Sequence, residues 1–570
     1  MNCLLSGHDY AYDIQTITQI FFPNERFTRV GSADMPGLTA VSILAPSECR
    51  GAVYSDGRLV QMNVMPLPEN PGGPDGLITH TPVADNVPGA DDVPGTENVP
   101  GTDNVTSTEN VPGTEDVTGT DNVPGADDVP GTDNVSGTDD VPGIDNVSGT
   151  DNVPGTGNMS SGCQEIRRRL MITLFLSLKS YTGQNPPWGA LTGIRPSKMT
   201  RLLLEKGYSE ESVINAMERN YLARRDKIAL AVEVAKAEKE ILGARPENAF
   251  CLYIGIPFCP SRCLYCSFAS YPIGKDASLT DLYLDALEKE LYAIKRMTWG
   301  SGVLVVYIGG GTPTALSEVQ LDRLLRTVVQ MYGGTKEFAV EAGRPDTLGV
   351  QKLRILKKFG VNRISINPQS LHDGTLIRIG RSHSAEDFSK SFALARAEGF
   401  NNINTDIILG LPGETPDSVK ETMRKLLALK PENVTVHILT IKRASLLRET
   451  LEQYPLPNAG ALEEMLDISR RMCLESGLRP YYMYRQKNML GNFENVGYSL
   501  PGWQSLYNVH IMEETRSVWA AGAGAVTKLV FGDRIERVFN VKNLYDYIRR
   551  IDEMIGRKED KYADSSASGH

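Results

Sequence analysis

Short apolar runs and amphipathic segments alternate along the second half of the chain. Continuous or alternating apolar runs, which are typical of strands, occupy the segments 251–256, 303–308, 337–342, 363–367, 403–409 and 434–438. Segments with helical spacing of apolar residues lie between them, at 279–297, 315–332, 347–359, 385–399 and 415–429. Repeated strand–helix units predict parallel strands joined by right-handed crossovers. Six units predict a partial (β/α)6 barrel, with functional groups at the carboxyl ends of its strands.

The patterns outside this core predict further regions. Alternating runs near the start predict a small α/β unit, and helical spacing follows the middle of the chain. Near the end, an amphipathic helix and aromatic segments predict an α+β region that covers a substrate. The predicted division is 1–75 for the N-terminal α/β unit, 76–162 for a disordered repeat segment, 163–247 for a helical region, 248–445 for the barrel core, 446–560 for the C-terminal region and 561–570 for a disordered tail.

Two polar segments each allow two interpretations. WGALTGIRPSK, residues 188–198, is either a contact to an anionic group or to the barrel, or a turn with a helix cap. The tyrosine-rich segment 481–499 is either a packing surface or a substrate lid, in which Arg485 or Lys487 faces carboxylates. The sequence leaves both pairs open.

Residues 84–155 form twelve hexads of the type ADNVPG. A hexapeptide β-helix would stack the valine of each hexad in a core. Each turn, however, offers one aliphatic residue and an unpaired acid, which buries too little apolar surface to offset the ordering entropy. The composition therefore favours a disordered acidic tether.

The hexads also dominate the net charge of −11. They hold 16 of the 70 acidic residues and no Lys or Arg, so the rest of the chain has 54 acidic against 59 basic side chains, a net of +5. This mildly basic remainder suits anionic small molecules without requiring nucleic acid. No uninterrupted apolar run reaches membrane length, and the first residues lack the features of a signal peptide. We expect a cytoplasmic enzyme with no membrane contact.

Three of the eight cysteines lie close together, directly after the strand 251–256 and Pro257. Cys259, Cys263 and Cys266 have the spacing C-x3-C-x2-C. Three thiolates can bind three irons of a [4Fe–4S] cluster and leave the fourth iron open to a chelating cofactor. A disulfide is disfavoured in a reducing compartment. Zinc would require a fourth Cys or His nearby, and the next histidine is His372.

The segment YIGIPFCPSRCLYC, residues 253–266, resembles the radical S-adenosylmethionine (SAM) superfamily, and within it the branch of oxygen-independent coproporphyrinogen III oxidases. WGALTGIRPSK and the segment 481–499 resemble the HemZ-type coproporphyrinogen dehydrogenases of that branch. The likeness covers most of the chain apart from the repeats and the first 65 residues. It implies a [4Fe–4S] cluster whose open iron chelates SAM, and reductive cleavage of SAM to methionine and a 5′-deoxyadenosyl radical.

The resemblance also implies roles for residues at the strand ends. By themselves, the glycine run at 309–311 is consistent with a turn, and the charged residues with surface positions. Beside the cysteines, they match the superfamily's SAM-binding positions, with Glu341 toward the ribose and Arg381 toward the carboxylate. The predicted cofactor-binding residues are Tyr253, Tyr265, Gly310, Gly311, Thr312, Glu341, Gln369, Arg381 and Asp406, and no catalytic residue is predicted.

Three positions depart from the pattern of the established oxidases. Gly255 stands where those enzymes have histidine, Phe268 where they have a further cysteine, and Asn367 where the branch usually has glycine. The first two lie close to the expected reaction centre, so the substrate is the least determined part of the prediction.

The resemblance implies oxygen-independent oxidative decarboxylation of coproporphyrinogen III to protoporphyrinogen IX. Two alternatives stay open: a haem-binding carrier or chaperone of the same branch, and a radical SAM enzyme that acts on RNA or another anionic substrate. The expected partners are a porphyrinogen or other anionic small molecule and a reductant protein such as flavodoxin or ferredoxin.

Overall fold

A computed structural model gives the fold. It describes residues 2–6, 10–22, 28–30, 38–44, 48–55, 58–66, 161–193, 195–243, 248–268, 270–273, 277–442, 444–486, 489–532 and 534–567. The hexads, Lys487 and the last three residues lie outside this set, so the predicted tether stays a prediction. The predicted domain boundaries also stay predictions.

The N-terminal region is a five-stranded sheet with one helix. Its strands pair in the order β2-β1-β3-β4-β5, parallel for the first three and antiparallel for the last three. The elements are β1 (Asn2–Ser6), α1 (Ala11–Phe21), β2 (Thr28–Arg29), β3 (Leu38–Leu44), β4 (Glu48–Ser55) and β5 (Arg58–Pro66).

Four helices follow: α2 (Ser161–Thr182), α3 (Pro196–Glu205), α4 (Glu210–Tyr221) and α5 (Arg225–Leu242). The predicted helical region is thus present, but its first helix belongs to the N-terminal core. Phe175 and Leu178 of α2 are buried together with Ile17 and Phe21 of α1. The apolar face of α2 therefore packs against β3, β4 and β5 of this sheet.

The central region has the six predicted strand–helix units. Its elements are β6 (Ala249–Ile256), β7 (Phe258–Cys259), β8 (Tyr271–Pro272), α6 (Ala277–Met297), β9 (Gly302–Gly310), α7 (Glu318–Tyr332), β10 (Glu337–Glu341), α8 (Val350–Lys358), β11 (Arg363–Ser365), α9 (Asp373–Arg378), α10 (Ala385–Ala397), β12 (Ile403–Leu409), α11 (Pro416–Ala428) and β13 (Asn433–Ile438). The strands β6, β9, β10, β11, β12 and β13 are neighbours in that order, and all pairs are parallel. The fold class predicted from the sequence, a partial (β/α)6 barrel, is confirmed.

Local chemistry fixes where several helices begin. Ser317, Ser384 and Thr415 each cap the first turn of α7, α10 and α11 through a capping box. A capping box satisfies amide groups that the helix itself leaves unpaired. These caps place the helix starts within three residues of the predicted ones.

The C-terminal region extends the barrel sheet at both edges. Its elements are α12 (Leu446–Glu449), α13 (Ala459–Glu475), β14 (Arg479–Tyr484), β15 (Asn495–Ser499), α14 (Leu506–Glu513), β16 (Val518–Ala521), β17 (Val526–Phe531), β18 (Arg534–Phe539), α15 (Leu544–Arg549) and α16 (Ile551–Ala567). β15 and β14 pair antiparallel beyond β13, whereas β16 pairs parallel to β6 and is followed by β17 and β18. The glycine-rich stretch at 520–529 is therefore a strand, a turn and a strand. Among the described residues, no helix combines the length and the apolarity that crossing a membrane requires.

Candidate functional site

The parallel strands bring every predicted site residue to one cavity of about 680 Å³. All three cluster cysteines and all nine predicted cofactor-binding residues line it. The carboxyl ends of parallel strands meet at one edge of a barrel, which explains the convergence. The predicted residues are thus neighbours in space.

The cysteine loop is held from several sides. Cys259 lies on β7 and its Sγ is 3.4 Å from Thr312 Oγ1. The amide of Cys266 donates to the carbonyl of Cys263 at 3.1 Å. Arg344 Nη1 lies 3.8 Å from Cys263 Sγ. Burial raises the pKa of the Cys259 thiol, and it raises that of Cys266 to about 12, so metal binding would have to release the thiol protons.

The donor set fits an iron–sulfur cluster better than a single metal ion. None of the seven described cysteines forms a disulfide. Within the described ranges, no three His, Cys, Asp or Glu side chains are arranged to hold one metal ion. A [4Fe–4S] cluster does not need such convergence, because each thiolate binds a different iron.

The glycine run after β9 packs against the cysteine loop. A Cβ atom on Gly311 would lie 2.7 Å from the carbonyl oxygen of Phe258 and 3.1 Å from Cys259 Sγ. The amide of Thr312 donates to the same Phe258 carbonyl at 2.7 Å. Only glycine permits this backbone approach, so the run packs directly against the cysteine loop and helps to fix its position.

Two half-buried carboxylates at strand ends have pKa values shifted in opposite directions. Glu341 accepts hydrogen bonds from Tyr307 Oη at 2.5 Å and from the Gly310 amide at 3.2 Å, and burial raises its pKa to about 7. Burial also opposes ionisation of Asp406. There, however, the neighbouring His437 and the Asn404 amide outweigh burial and hold the pKa below its usual range.

Two further predicted residues have polar atoms free for a ligand. Arg381 donates through Nη1 to the Gly343 carbonyl and through Nη2 to Tyr265 Oη, both at 3.1 Å. Arg381 Nε and Gln369 Oε1 are buried without a hydrogen-bond partner among the described residues. Buried polar atoms are normally satisfied, so unpaired atoms on a cavity wall fit a polar cofactor such as SAM.

The sequence did not single out several aromatic residues that line the same cavity. Tyr307 stacks on Tyr507, with ring centroids 4.2 Å apart, and on Tyr253 at 6.2 Å. His437 Nδ1 lies 3.2 Å from Tyr484 Oη, and His437 Nε2 lies 3.7 Å from Asp406 Oδ2. Side chains two residues apart on a strand face the same side, so Tyr307 lies on the same side of β9 as Gly309. This spacing could have identified Tyr307 from the sequence.

The structure corrects one expectation for the segment 481–499. Arg485 does not face the cavity: it is buried and donates to the carbonyls of Leu191 and Gly193 and to Asn492 Oδ1. The segment instead forms β14 and β15, and Tyr484 on β14 reaches the cavity. The sequence did not show that this arginine is enclosed by the loop 188–193.

The segment 188–198 contacts the protein itself. Trp188 is buried and donates through Nε1 to Glu494 Oε2 at 2.8 Å. Arg195 Nη1 lies 2.9 Å from Glu514 Oε2. The segment thus contacts the C-terminal extension of the barrel, and it also forms a turn at 187–190 and the start of α3, with Arg195 as N-cap and Pro196 in the first turn, so features of both interpretations are present.

The three departures from the branch pattern all lie on the cavity wall. The Asn367 side chain links two strand ends, because Asn367 Oδ1 accepts a hydrogen bond from the Asp406 amide at 3.2 Å. At Gly255, a Cβ would meet only ordinary contacts, the nearest at 3.4 Å to the Tyr253 ring. The structure therefore has space for a Cβ atom at position 255, where this protein has glycine.

Comparisons with known proteins agree with the geometry. The radical SAM superfamily profile matches residues 253–426. The chain is 37% identical over 407 residues to the oxygen-independent coproporphyrinogen-III oxidase-like protein HemZ of Bacillus subtilis, covering 69% of this chain and 81% of that protein. It is 34% identical over 301 residues to the heme chaperone HemW of Bacillus subtilis, covering 52% of this chain and 75% of that protein.

Among solved structures, the coproporphyrinogen III oxidase HemN of Escherichia coli matches with a TM-score of 0.46 and 22% identity, over 56% of this chain and 73% of that one. The superfamily predicted from the cysteine motif and the resemblance to HemZ are both confirmed. The family carries a [4Fe–4S] cluster and SAM, as expected from the cysteine spacing. The chain belongs to the radical SAM superfamily, in the group related to HemZ, HemN and HemW.

Proposed function

We propose that the protein catalyses the oxygen-independent oxidative decarboxylation of coproporphyrinogen III to protoporphyrinogen IX. The relative HemZ is named as coproporphyrinogen-III oxidase-like and is similar over 81% of its length. The coproporphyrinogen III oxidase of Escherichia coli is 31% identical over 229 residues. The names of these two relatives suggest the substrate class, and the size and charge of the cavity support it physically.

The charge of the cavity carries the proposal. Six basic side chains line it, against two acidic ones, in the described part of the chain: Arg262, Arg344, Arg363, Arg381, Lys528 and Lys542 against Glu341 and Asp406. Three of the six are already paired with carboxylates outside the lining, Arg344 with Asp346, Arg363 with Glu337 and Lys528 with Glu514, so the excess of positive charge is small. The cluster cysteines open into the same space. A cavity of about 680 Å³ lies within the range of about 300–1,000 Å³ that drug-sized ligands occupy, and its excess positive charge favours a ligand with several carboxylates.

In this proposal Cys259, Cys263 and Cys266 hold the cluster. The bound cluster and SAM would supply the radical that removes a hydrogen atom from a propionate side chain, after which CO2 and an electron leave and a vinyl group remains. Nine residues of the chain position SAM: Tyr253, Tyr265, Gly310, Gly311, Thr312, Glu341, Gln369, Arg381 and Asp406.

A second candidate is haem binding without decarboxylation. The similarity to the heme chaperone HemW, over 75% of that protein, favours it. Under either function we propose a cytoplasmic location and an electron-donating protein such as flavodoxin or ferredoxin, since thiolates must stay reduced to hold the cluster.

The test is an anaerobic assay with reconstituted protein, SAM, a chemical reductant and coproporphyrinogen III. We expect release of CO2 and appearance of protoporphyrin after oxidation of the product. Replacing Cys263 with alanine should abolish both SAM cleavage and CO2 release, whereas Cys473→Ser should leave them intact, because Cys473 is buried on α13 away from the cavity. Stoichiometric haem retention without CO2 would reject the decarboxylase and support the carrier.

A further inference from the structure

The cavity extends well below the cysteine loop, into the lumen of the barrel. Lys528 on β17 lines it and pairs in register with Val518 on β16. Val518 in turn pairs with Cys251 of β6, five residues before the end of that strand at Ile256. At about 3.3 Å per residue, Lys528 therefore lies about 16 Å deeper along the strands than their carboxyl ends.

The alternation of β17 points Lys528 to the cavity side of the sheet. Val526 and Lys528 are two residues apart and both line the cavity. Leu529, on the other face, is buried in the core between the sheet and its helices. Successive side chains of a strand point to opposite faces, so the cavity is the side on which Lys528 lies.

The Lys528 side chain belongs to a buried group with an excess of positive charge. Four cationic side chains lie within 4 Å of the single carboxylate of Glu514. They are Arg195 at 2.9 Å, Lys528 and Arg537 at 3.0 Å, and Lys198 at 3.8 Å. We call Arg195, Glu514, Lys528 and Arg537 the Glu514 cluster. Lys198, the most distant of the four cations and 23% exposed, lies outside it.

This cluster is under-compensated. Lys528 and Arg537 face each other directly across β17 and β18, an arrangement that is unfavourable for like charges. Arg195 Nη1 is paired with Glu514 Oε2, but Arg195 Nε and Nη2, like Arg537 Nε, have no hydrogen-bond acceptor among the described residues. Burial, and then the charge of Arg195, lower the pKa of Lys528 to about 7, since Glu514 offsets only part of both effects.

A buried excess of cations costs folding free energy unless an anion arrives. Functional sites commonly retain such a cost because ligand binding relieves it. We propose that Lys528, supported by the Glu514 cluster, is a carboxylate-binding subsite at the deep end of the cavity. It holds one carboxylate of the substrate far from the cysteine loop. This inference gives the segment 188–198 a role, because Arg195 comes from it.

The inference rests on the proposed function for the identity of the ligand. Carboxylates at opposite edges of a tetrapyrrole are widely separated, so one can reach Lys528 while another is presented to the radical chemistry near the cysteines. The subsite would thus select substrates with two or more distant carboxylates.

The experiment compares Lys528→Met with a matched control, Lys198→Met. Both changes remove one positive charge from beside Glu514, but Lys198 is partly exposed, lies outside the cluster and does not line the cavity. Binding of coproporphyrin III to the full-length reconstituted protein is followed by fluorescence quenching without oxygen. Lys528→Met should weaken binding by about tenfold or more, the effect of one charge-assisted hydrogen bond, and Lys198→Met by no more than about twofold.

Two further measurements separate binding from folding. The tetramethyl ester of coproporphyrin III has no carboxylates and should bind the two variants alike. Urea denaturation should show Lys528→Met at least as stable as the wild-type protein, because Glu514 keeps three cations. Unchanged affinity of Lys528→Met for coproporphyrin III would overturn the inference. If this variant were also less stable than the wild-type protein, the Glu514 cluster would have a role in folding instead.

Failure of the proposed function gives a different result. If the wild-type protein does not bind coproporphyrin III, the decarboxylase proposal fails, and the subsite is tested with glutarate alone. A rise in melting temperature with glutarate in the wild-type protein and in Lys198→Met, but not in Lys528→Met, would support the subsite. Equal rises in all three, or none, would overturn it.

Discussion

Replacing Lys558 with methionine should destabilise the protein strongly, because it leaves a carboxylate buried without its counter-charge. Lys558 Nζ lies 2.6 Å from Glu290 Oε1, and both side chains are fully buried. Glu290 also accepts from Tyr547 Oη at 2.6 Å, from Asn540 Nδ2 at 2.8 Å and from the Gly522 amide at 2.8 Å. These neutral donors remain in the variant, but the opposite charge does not.

Removing one partner of a buried ion pair costs about 3–5 kcal/mol. The chain offers a matched control on the same two helices, α6 and α16. Lys289 pairs with Asp552 at 2.6 Å, with side chains 53% and 78% exposed. Exposed pairs contribute about 0–1 kcal/mol, so Lys289→Met should have little effect.

The measurement is the free energy of unfolding of the full chain, from urea titration followed by circular dichroism. Lys558→Met should lose about 3–5 kcal/mol relative to the wild-type protein. The double variant Glu290→Gln, Lys558→Met should recover part of that loss, with a coupling free energy of about 1–3 kcal/mol. If Lys558→Met is no less stable than Lys289→Met, the buried charge is compensated in another way and the reasoning is refuted.

Three other changes test different parts of the structure. Cys266→Ser should lower the iron content of reconstituted protein, measured by absorbance and iron assay, whereas Cys473→Ser should not; equal iron in both would contradict the cluster assignment. Gly522→Ala should slow SAM cleavage and lower the melting temperature, because a Cβ at this residue, whose φ is +112°, would lie 2.5 Å from the Gly255 carbonyl oxygen at the end of β6; a variant as stable and active as the wild-type protein would count against that packing. Burial raises the pKa of Glu414 to about 7, so its contribution to stability is full below about pH 4.5 and is lost as the pH rises through 7. Glu414→Gln should therefore gain about 2–3 kcal/mol relative to the wild-type protein between pH 5 and pH 8, and a pH-independent difference in urea unfolding would refute this.

The sequence determined the barrel to within a few residues. Each predicted core strand is present, and β12 coincides with its predicted bounds at 403–409. The deviations have local causes. The helix predicted from residue 347 begins at Val350, because Pro345–Thr347 first forms a 3-10 turn.

The site was predictable for the same reason. Once the strands are parallel, residues just after them must meet at one end of the barrel. Cysteine spacing, the glycine run, the charged residues at strand ends and the family resemblance named twelve residues, all of which line the cavity. Inward positions within the strands, such as Tyr307, were missed because aromatic residues there are equally consistent with a packed core.

The tertiary structure alone decided the pairing of the C-terminal segments and the partners of buried charges. The sequence around 520–529 shows glycines and a short apolar run, but only long-range pairing makes it extend the barrel beside β6. Arg195 lies far from Glu514 and Lys528 in the chain, and no periodicity connects the three residues. Periodicity reports which side of an element is buried, whereas the identity of the group that meets it depends on contacts between distant segments. Chemistry at strand ends could therefore be predicted from the sequence, and the cationic end of the cavity could not.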